Sequence, residues 1–244
     1  NVNLVKTGTF ADANAGTGKT VDLVYGLSGS ESGNYVLSST TGSTTADIAK
    51  ANLTMAANND AKLLTEGDPT FTARYSGFVN NENDSVLSGV SVSRTGGDTA
   101  AGTYTGVLVP AASSGNYTIS FVNGNFTIAP AQALLLQMGN ATKVYGDAIP
   151  DLSSGMVLGA RYLAADNTTI RYVPITATGS NTYAGDDGLG TTFSFTASTA
   201  ATASSNVGNY DLSTSGFTQT GGNFSAQMTA NGVLSITQRA VSVN

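Results

Sequence analysis

The residues of this chain that could do chemistry carry oxygen or single charges, because cysteine and histidine are both absent from its 244 residues. Their absence removes thiol nucleophiles, Ser-His-Asp relays and Cys or His metal ligands. Carboxylates, hydroxyls, amides and ten Lys and Arg residues remain. The chemistries left to consider are phosphate binding, carboxylate catalysis, calcium binding and sugar binding.

The segment Gly-Thr-Gly-Lys-Thr at 16–20 is similar to the end of a phosphate-binding loop. The complete motif needs a further glycine at the position of Ala13, and it needs a helix after the lysine. Residues 21–25, Val-Asp-Leu-Val-Tyr, instead alternate as a strand does. This pattern predicts a Gly-rich hairpin turn.

Asp186 and Asp187 could form one side of a glycosidase carboxylate pair or supply calcium ligands. Glycoside hydrolysis also needs an aromatic-lined cleft, and the chain has no tryptophan. Oxygen ligands from Asp, Asn and the backbone suit Ca²⁺, so both residues are candidate metal ligands, with residues 80–84 as a second candidate. Neither segment has EF-hand spacing. We expect a polar turn and no enzyme, and Ca²⁺ is the one cofactor left open.

Two Arg-Tyr pairs could form a sugar-binding platform, because planar guanidinium groups and aromatic faces suit carbohydrate. They are Arg161 with Tyr162 and Arg171 with Tyr172. Both pairs lie in the stretch from Arg161 to Asp187, which fits the repeat pattern poorly, so these four residues are the candidate ligand-binding residues. They make a carbohydrate-binding module centred on 161–187 the alternative functional hypothesis.

Composition favours a β-protein that does not bind nucleic acid. Only 11% of residues are charged, the net charge is −6, and the pI is near 4.4. The few cations are scattered singly, so no basic stripe faces a phosphate backbone. The most apolar run, residues 133–136, is far too short to span a bilayer. Short alternating apolar stretches between Gly, Ser and Asn turns predict strands throughout.

Internal repeats organise these strands into modules. Lys62 and Pro69 are separated by the same number of residues as Lys143 and Pro150. Each pair predicts a strand that leads into a turn. The triplet Gly-Asn-Tyr recurs and ends at Tyr35, Tyr117 and Tyr210, which predicts one recurrent packing position.

Apolar strands close each module and lead almost without a loop into the next. We therefore expect modules at 1–51, 52–130 and 131–239, and the start of another at 240–244. The predicted fold is a row of small antiparallel β-sandwich modules arranged end to end as an elongated rod. The third module carries an insertion, predicted as an extra hairpin around 216–228.

Three of these segments resemble repeats of filamentous-haemagglutinin-type bacterial adhesins. The sequence Lys-Val-Tyr-Gly-Asp at 143–147 with Pro150, and the closing sequence at 125–129, resemble the mostly-β glycine-rich (MBG) repeat. Residues 8–21 are similar to the companion YDG repeat, so 1–51 resembles its C-terminal part. In the second module Leu64-Thr65 stands where the pattern has Tyr-Gly.

The resemblance implies a non-catalytic stalk segment of a large adhesin exported by two-partner secretion. It implies a location outside the cell or on the bacterial surface, attached to the outer membrane by parts not present in this sequence, and roles in cell adhesion and biofilm cohesion. Other modules of the same long chain are the expected partners, together with polysaccharide or neighbouring adhesin rods.

Overall fold

The computed structural model describes residues 1–153 and 155–241, in which the regular secondary structure is almost entirely β-strand. Regular structure comprises twenty strands and two three-residue 3-10 helices, Ser32–Asn34 and Asp84–Val86. The predicted all-β class is therefore confirmed. Among the described residues, no helix combines the length and apolar content that a membrane crossing requires. The module start predicted for 240–244 falls, from residue 242 onward, outside the described residues.

Ten strands form in residues 1–130, separated by turns rich in Gly, Asn and Ser. In chain order they are β1 (Asn3–Phe10), β2 (Gly16–Ser28), β3 (Thr41–Ile48), β4 (Ala51–Ala57), β5 (Asp60–Leu63), β6 (Ala73–Ser76), β7 (Ser88–Arg94), β8 (Gly102–Ser113), β9 (Tyr117–Val122) and β10 (Gly124–Ala129).

Ten more strands form in residues 131–239, and many alternate as their sequence predicts. They are β11 (Ala133–Met138), β12 (Ala141–Val144), β13 (Val157–Leu163), β14 (Ile170–Val173), β15 (Ile175–Gly179), β16 (Thr182–Asp186), β17 (Thr192–Thr199), β18 (Gly208–Thr220), β19 (Ala226–Ala230) and β20 (Gly232–Thr237). In β17, Phe193 and Phe195 are buried while Thr192 and Ser194 are exposed. Such alternation places one face of the sheet on the core.

The chain divides into two compact units. Unit 1 consists of Asn1–Leu53, Gly77–Ser88 and Ser113–Ile119, and contains the antiparallel sheet β1-β2-β3. Unit 2 consists of Thr54–Ser76, Gly89–Ala112 and Ser120–Asn244. Unit 2 therefore joins part of segment 52–130 to the whole of segment 131–239.

Segments 52–130 and 131–239 share one strand order. The first has sheets β6-β4-β9 and β5-β10-β8-β7. The second has β13-β11-β19 and β12-β20-β18-β17 in the same relation. Strand β14 is added to the first of these sheets beside β13, and β16 and then β15 extend the second beyond β17, which makes it six-stranded. The additional strands therefore lie at 170–186, and the prediction of an extra hairpin around 216–228 is wrong in position.

The misplaced hairpin follows from the Gly-Asn-Tyr triplets, which do not share a structural position. Tyr117 begins β9, whereas Tyr210 lies in β18, the counterpart of β8. Tyr35 follows a 3-10 helix and is 60% exposed. The expected recurrent packing position is therefore wrong, because identical turn signals precede different strands.

Three of the sheets contain a parallel pair beside their antiparallel ones, whereas the sequence predicts antiparallel modules. Strand β10 runs parallel to β5, β20 parallel to β12, and β19 parallel to β11. Alternation reveals which face of a strand is buried, but carries no information on the direction of its neighbour.

The Lys-to-Pro anchor has the same structure in both segments. The amide of Leu64 donates to the Ala129 carbonyl at 3.1 Å, and that of Tyr145 donates to the Thr237 carbonyl at 2.9 Å. Each turn thus continues the parallel pairing with the closing strand. Leu64-Thr65 replaces Tyr-Gly without loss of this hydrogen bond.

A close backbone approach recurs where each closing strand begins. A Cβ atom on Gly232 would lie 1.7 Å from the carbonyl oxygen of Gly139, and one on Gly124 would lie 2.8 Å from that of Asn58. Only glycine allows the preceding chain to pass so close.

An asparagine side chain pins each of these crossings. The Asn59 amide oxygen accepts the N–H of Asn125 at 2.7 Å, and the Asn140 amide oxygen accepts that of Val233 at 2.8 Å. These bonds fix the register from which the parallel pairs start.

Candidate functional site

The four residues predicted to bind a ligand lie on the neighbouring strands β13 and β14. Arg161 is opposite Tyr172, and Tyr162 is opposite Arg171. Directly opposed residues share a face, and successive residues point to opposite faces. The structure therefore brings the four together as two pairs on opposite faces of the strands, so they do not form a single platform.

Arg161 is occupied by an ion pair with Glu66. Its Nε lies 2.6 Å from Oε1, its second contact joins Nη2 and Oε2 at 3.1 Å, and both side chains are only 17% exposed. Such a two-point pair fixes geometry as well as charge. Arg161 thus connects segment 131–239 to segment 52–130, a role that sequence reasoning missed.

Tyr162 belongs to the core. It is 3% exposed and packs edge-on against Phe224, with ring centroids 4.9 Å apart. Burial, reinforced by the nearby Asp187 carboxylate, raises the pKa of the Tyr162 hydroxyl. Tyr162 is therefore not available as an open aromatic face.

Arg171 and Tyr172 remain accessible. Tyr172 is 76% exposed, and Arg171 is exposed and forms no ion pair with the described residues. Of the four candidates, these two alone present side chains to solvent. Their binding role stays a prediction.

The two candidate calcium ligands differ in their surroundings. Asp187 accepts the amides of Leu189 and Thr191 at 2.8 and 2.9 Å, and its other oxygen accepts Asn223 Nδ2 at 2.7 Å. Burial opposes ionisation of Asp187, but the hydrogen bonds from Asn223 and the two amides prevail and lower its pKa. Both oxygens of Asp187 are therefore already engaged, one by the loop amides and the other by Asn223.

Asp186 is exposed, and its Oδ1 accepts the Gly188 amide at 2.8 Å. Within residues 1–153 and 155–241, no group of three or more Asp and Glu residues is placed to hold a metal ion. Calcium binding by Asp186 and Asp187 stays a prediction.

The phosphate-loop-like segment 16–20 forms the start of strand β2. A register shift against β3 separates Gly16 from Lys19, and Lys19 is ion-paired with Asp12. The segment is therefore a bulged strand start, whereas a hairpin turn was predicted.

A second buried cluster of unit 2 lies at the joint between segments 52–130 and 131–239. We use the term joint core for this cluster of buried apolar residues. Its members are Ala61, Leu63, Ala129, Ala133, Leu135, Leu163 and Ala230. They come from two sheets: β5 and β10 belong to segment 52–130, and β11, β13 and β19 belong to segment 131–239. The two segments therefore share one interior at this point.

A cleft of about 660 Å³ lies on the six-stranded sheet, away from the joint core. Six side chains that line it bear hydroxyl or carboxylate groups, and we call it the hydroxyl cleft. They are Thr176, Asp186, Thr192, Ser194, Thr218 and Thr220. Alternation in 192–196, Thr-Phe-Ser-Phe-Thr, was the sequence signal that could have revealed it.

Two domain families match parts of the chain. The MBG domain (YGX type) matches residues 53–127, and the YDG domain matches residues 1–42. Both are repeat domains typical of large surface adhesin-like proteins. No curated protein and no solved structure matches the chain.

Proposed function

We propose that this chain is a non-catalytic structural spacer in the stalk of a large secreted or surface-anchored bacterial adhesin. In this proposal it acts outside the cell, needs no cofactor, and serves adhesion and biofilm cohesion by holding other parts of the adhesin at a distance. The matches to MBG and YDG repeat domains support the adhesin setting. The observation that carries the spacer role is the joint core.

The connection at the joint leaves almost no slack. Strand β10 ends at Ala129 and β11 begins at Ala133, and both of these residues are fully buried. Gln132, between them, donates its amide to the Leu163 carbonyl at 2.7 Å and accepts the Ser225 amide at 2.7 Å. A linker held in this way cannot act as a flexible tether.

Polar contacts surround the joint core. Besides Arg161 with Glu66, Arg74 pairs with Asp211 at 2.9 Å, and Asn209 Nδ2 donates to the Tyr75 carbonyl at 2.6 Å. All three contacts join segment 52–130 to segment 131–239. Together with the apolar cluster they oppose both bending and separation of the segments.

The preceding joint, within unit 1, is also held by hydrogen bonds. The Asn116 side chain accepts the Ala15 amide at 2.9 Å and donates to Asn14 Oδ1 at 3.0 Å. The backbone carbonyl of Asn116 accepts the Ala51 amide at 2.9 Å, close to the boundary between segments 1–51 and 52–130. A single residue thus connects the end of the first segment to the second.

The proposal is tested in a bacterium that carries the intact protein. Residues 1–244 are replaced by a Gly-Ser segment with the same number of residues, and surface attachment and biofilm cohesion are measured. We expect both to fall although the protein is still displayed. Unchanged attachment at equal surface display would contradict the spacer role.

A further replacement separates spacing from ligand recognition. The chain carrying Arg171→Ala and Tyr172→Ala keeps the joint core but loses the accessible pair on β14. The spacer proposal expects normal attachment for this variant. Loss of attachment with an intact fold would instead support the carbohydrate-binding hypothesis centred on 161–187.

A further inference from the structure

The hydroxyl cleft is built on an outward-facing array of side chains from four adjacent strands. Thr176 is opposite Ala184, Ala184 opposite Ser194, and Ser194 opposite Thr218. Asp186, Thr192 and Thr220 form the next such row. Neighbouring strands lie about 4.8 Å apart. The first row therefore presents hydroxyl groups from three of its four strands, interrupted by Ala184, and the second presents two hydroxyls beside the Asp186 carboxylate.

The opposite side of these strands holds the array in place. Tyr183, Phe193 and Phe195 are buried there, and Tyr183 stacks on Phe195 with ring centroids 5.4 Å apart. A Cβ atom on Gly185 would lie 2.4 Å from the Phe193 ring, so that ring covers the glycine from the core side. Strands β15 to β17 thus form a rigid floor.

The polar groups of the cleft are available for hydrogen bonding. Ser194 and Thr218 share a hydroxyl–hydroxyl bond of 2.8 Å, which leaves further donor and acceptor capacity on each oxygen. Asp186 uses Oδ1 for the Gly188 amide, and its second oxygen makes no hydrogen bond to the described residues. An ionised carboxylate is a strong acceptor for hydroxyl donors.

Charge selects against acidic ligands. The cleft lining contains Asp186 and neither lysine nor arginine, and the whole chain carries a net charge of −6. A polyanion such as a uronic acid polymer would meet repulsion without a compensating cation. Uncharged polyols meet no such penalty.

From this geometry we propose that the hydroxyl cleft binds a neutral polysaccharide chain. A volume of about 660 Å³ lies within the range of small-ligand sites. A polymer with repeating hydroxyl groups matches the repeating hydroxyl rows. The lining also includes Pro174 and Ala184. An extended peptide that binds by strand addition would need a free strand edge, and β16, β17 and β18 are each paired on both sides.

The proposal is independent of the spacer role, because the cleft lies on the added strands and their neighbours whereas the spacer role rests on the joint core. A stiff joint without polysaccharide binding would leave the proposed function intact. Polysaccharide binding without a stiff joint would support the cleft proposal and contradict the spacer role.

The test is titration of the full chain with neutral polysaccharides, dextran, mannan and a soluble β-glucan, and with alginate and hyaluronate as anionic probes. Thr192→Val and Thr218→Val remove one exposed hydroxyl each while keeping a β-branched side chain. Asp186→Asn removes the carboxylate. We expect binding of at least one neutral polymer, weakened about tenfold by each variant, the effect of one lost hydrogen bond.

Thr45→Val serves as the matched control, because Thr45 is an exposed threonine on β3 of unit 1. It leaves binding unchanged, and all four variants keep the wild-type melting temperature. The proposal is overturned if no neutral polymer binds, if the cleft variants bind as well as Thr45→Val, or if alginate binds as tightly. Binding of an unstructured peptide pool at the same residues in place of polysaccharide would also overturn it.

Discussion

At the scale of single residues, two Arg-Tyr dipeptides lie in different environments. Arg161 pairs with Glu66 across the joint, and Tyr162 is buried in the core. Arg171 and Tyr172, one strand away, are exposed to solvent. The sequence identified all four as candidates, but could not distinguish them because Glu66, the partner of Arg161, is 95 residues distant. Long-range pairing of this kind leaves no local pattern.

Replacing Arg161 by alanine should destabilise unit 2. The substitution leaves the Glu66 carboxylate partly buried without its cation, so we expect the free energy of unfolding to fall by about 2 kcal/mol. Urea denaturation followed by tyrosine fluorescence measures the change. Arg171→Ala is the matched control and should change stability by less than about 0.5 kcal/mol. Equal effects of the two variants would refute this account of Arg161.

Asp60 provides a pH-dependent test. Burial raises its pKa above the ordinary value of 3.8, and the hydrogen bond from the Ala61 amide offsets this only in part. The ionised carboxylate therefore destabilises the folded state at neutral pH. This cost disappears as the pH falls below 3.8, where Asp60 is protonated in both states.

Asp60→Asn should accordingly raise the melting temperature at pH 7 by a few degrees, since the amide oxygen can still accept the Ala61 N–H. At pH below 3.8 the variant and the wild type should melt together. Asp22→Asn, at an exposed position of β2, should show no gain at either pH. A gain for Asp60→Asn that persists in acid would contradict the assigned cause.

At the scale of elements, the sequence predicted strands well and their partners poorly. Alternation located β17, and the Lys-to-Pro anchors located β5 and β12 with their turns. Parallel pairing of β5 with β10 and the placement of β14 to β16 depend on which strands meet after the chain has folded. The Asn-Gly pairs at 123–124 and 231–232 were a visible signal of the backbone crossing, although their role depends on a close approach from distant residues.

The crossing at Gly232 predicts an extreme sensitivity to a single methyl group. In Gly232→Ala the new Cβ would lie 1.7 Å from the Gly139 oxygen, so β20 must move away from its parallel partner β12. We expect a loss of more than about 3 kcal/mol of stability, or failure of segment 131–239 to fold. Circular dichroism and hydrogen exchange of β12 and β20 report the change.

Gly159→Ala is the control, because Gly159 lies within strand β13 and a Cβ atom there meets no other atom within 4 Å. It should fold with wild-type stability or slightly better, since alanine restricts the unfolded chain. Tolerance of Gly232→Ala would show that the crossing is looser than the structure indicates.

At the scale of the whole molecule, composition alone indicated a β-rich chain with no basic surface, and repeats indicated its modular order. The packed interior at the joint was not predictable, because alanines such as Ala129 and Ala133 carry little hydrophobic signal in sequence. Their small size is what lets the two segments approach closely. The proposed spacer role depends on this approach.

Stiffness of the joint can be measured directly, since a chain without cysteine accepts spin labels only at introduced positions. Labels at Ser91→Cys on β7 and Ser215→Cys on β18 report the distance across the joint by pulsed electron double resonance. Both positions are exposed. Labels at Leu158→Cys and Ser215→Cys, both within segment 131–239, give the reference width of a distance distribution that does not cross the joint. We predict one narrow distance distribution across the joint, no broader than the reference, whereas a broad or multiple distribution would contradict the spacer account.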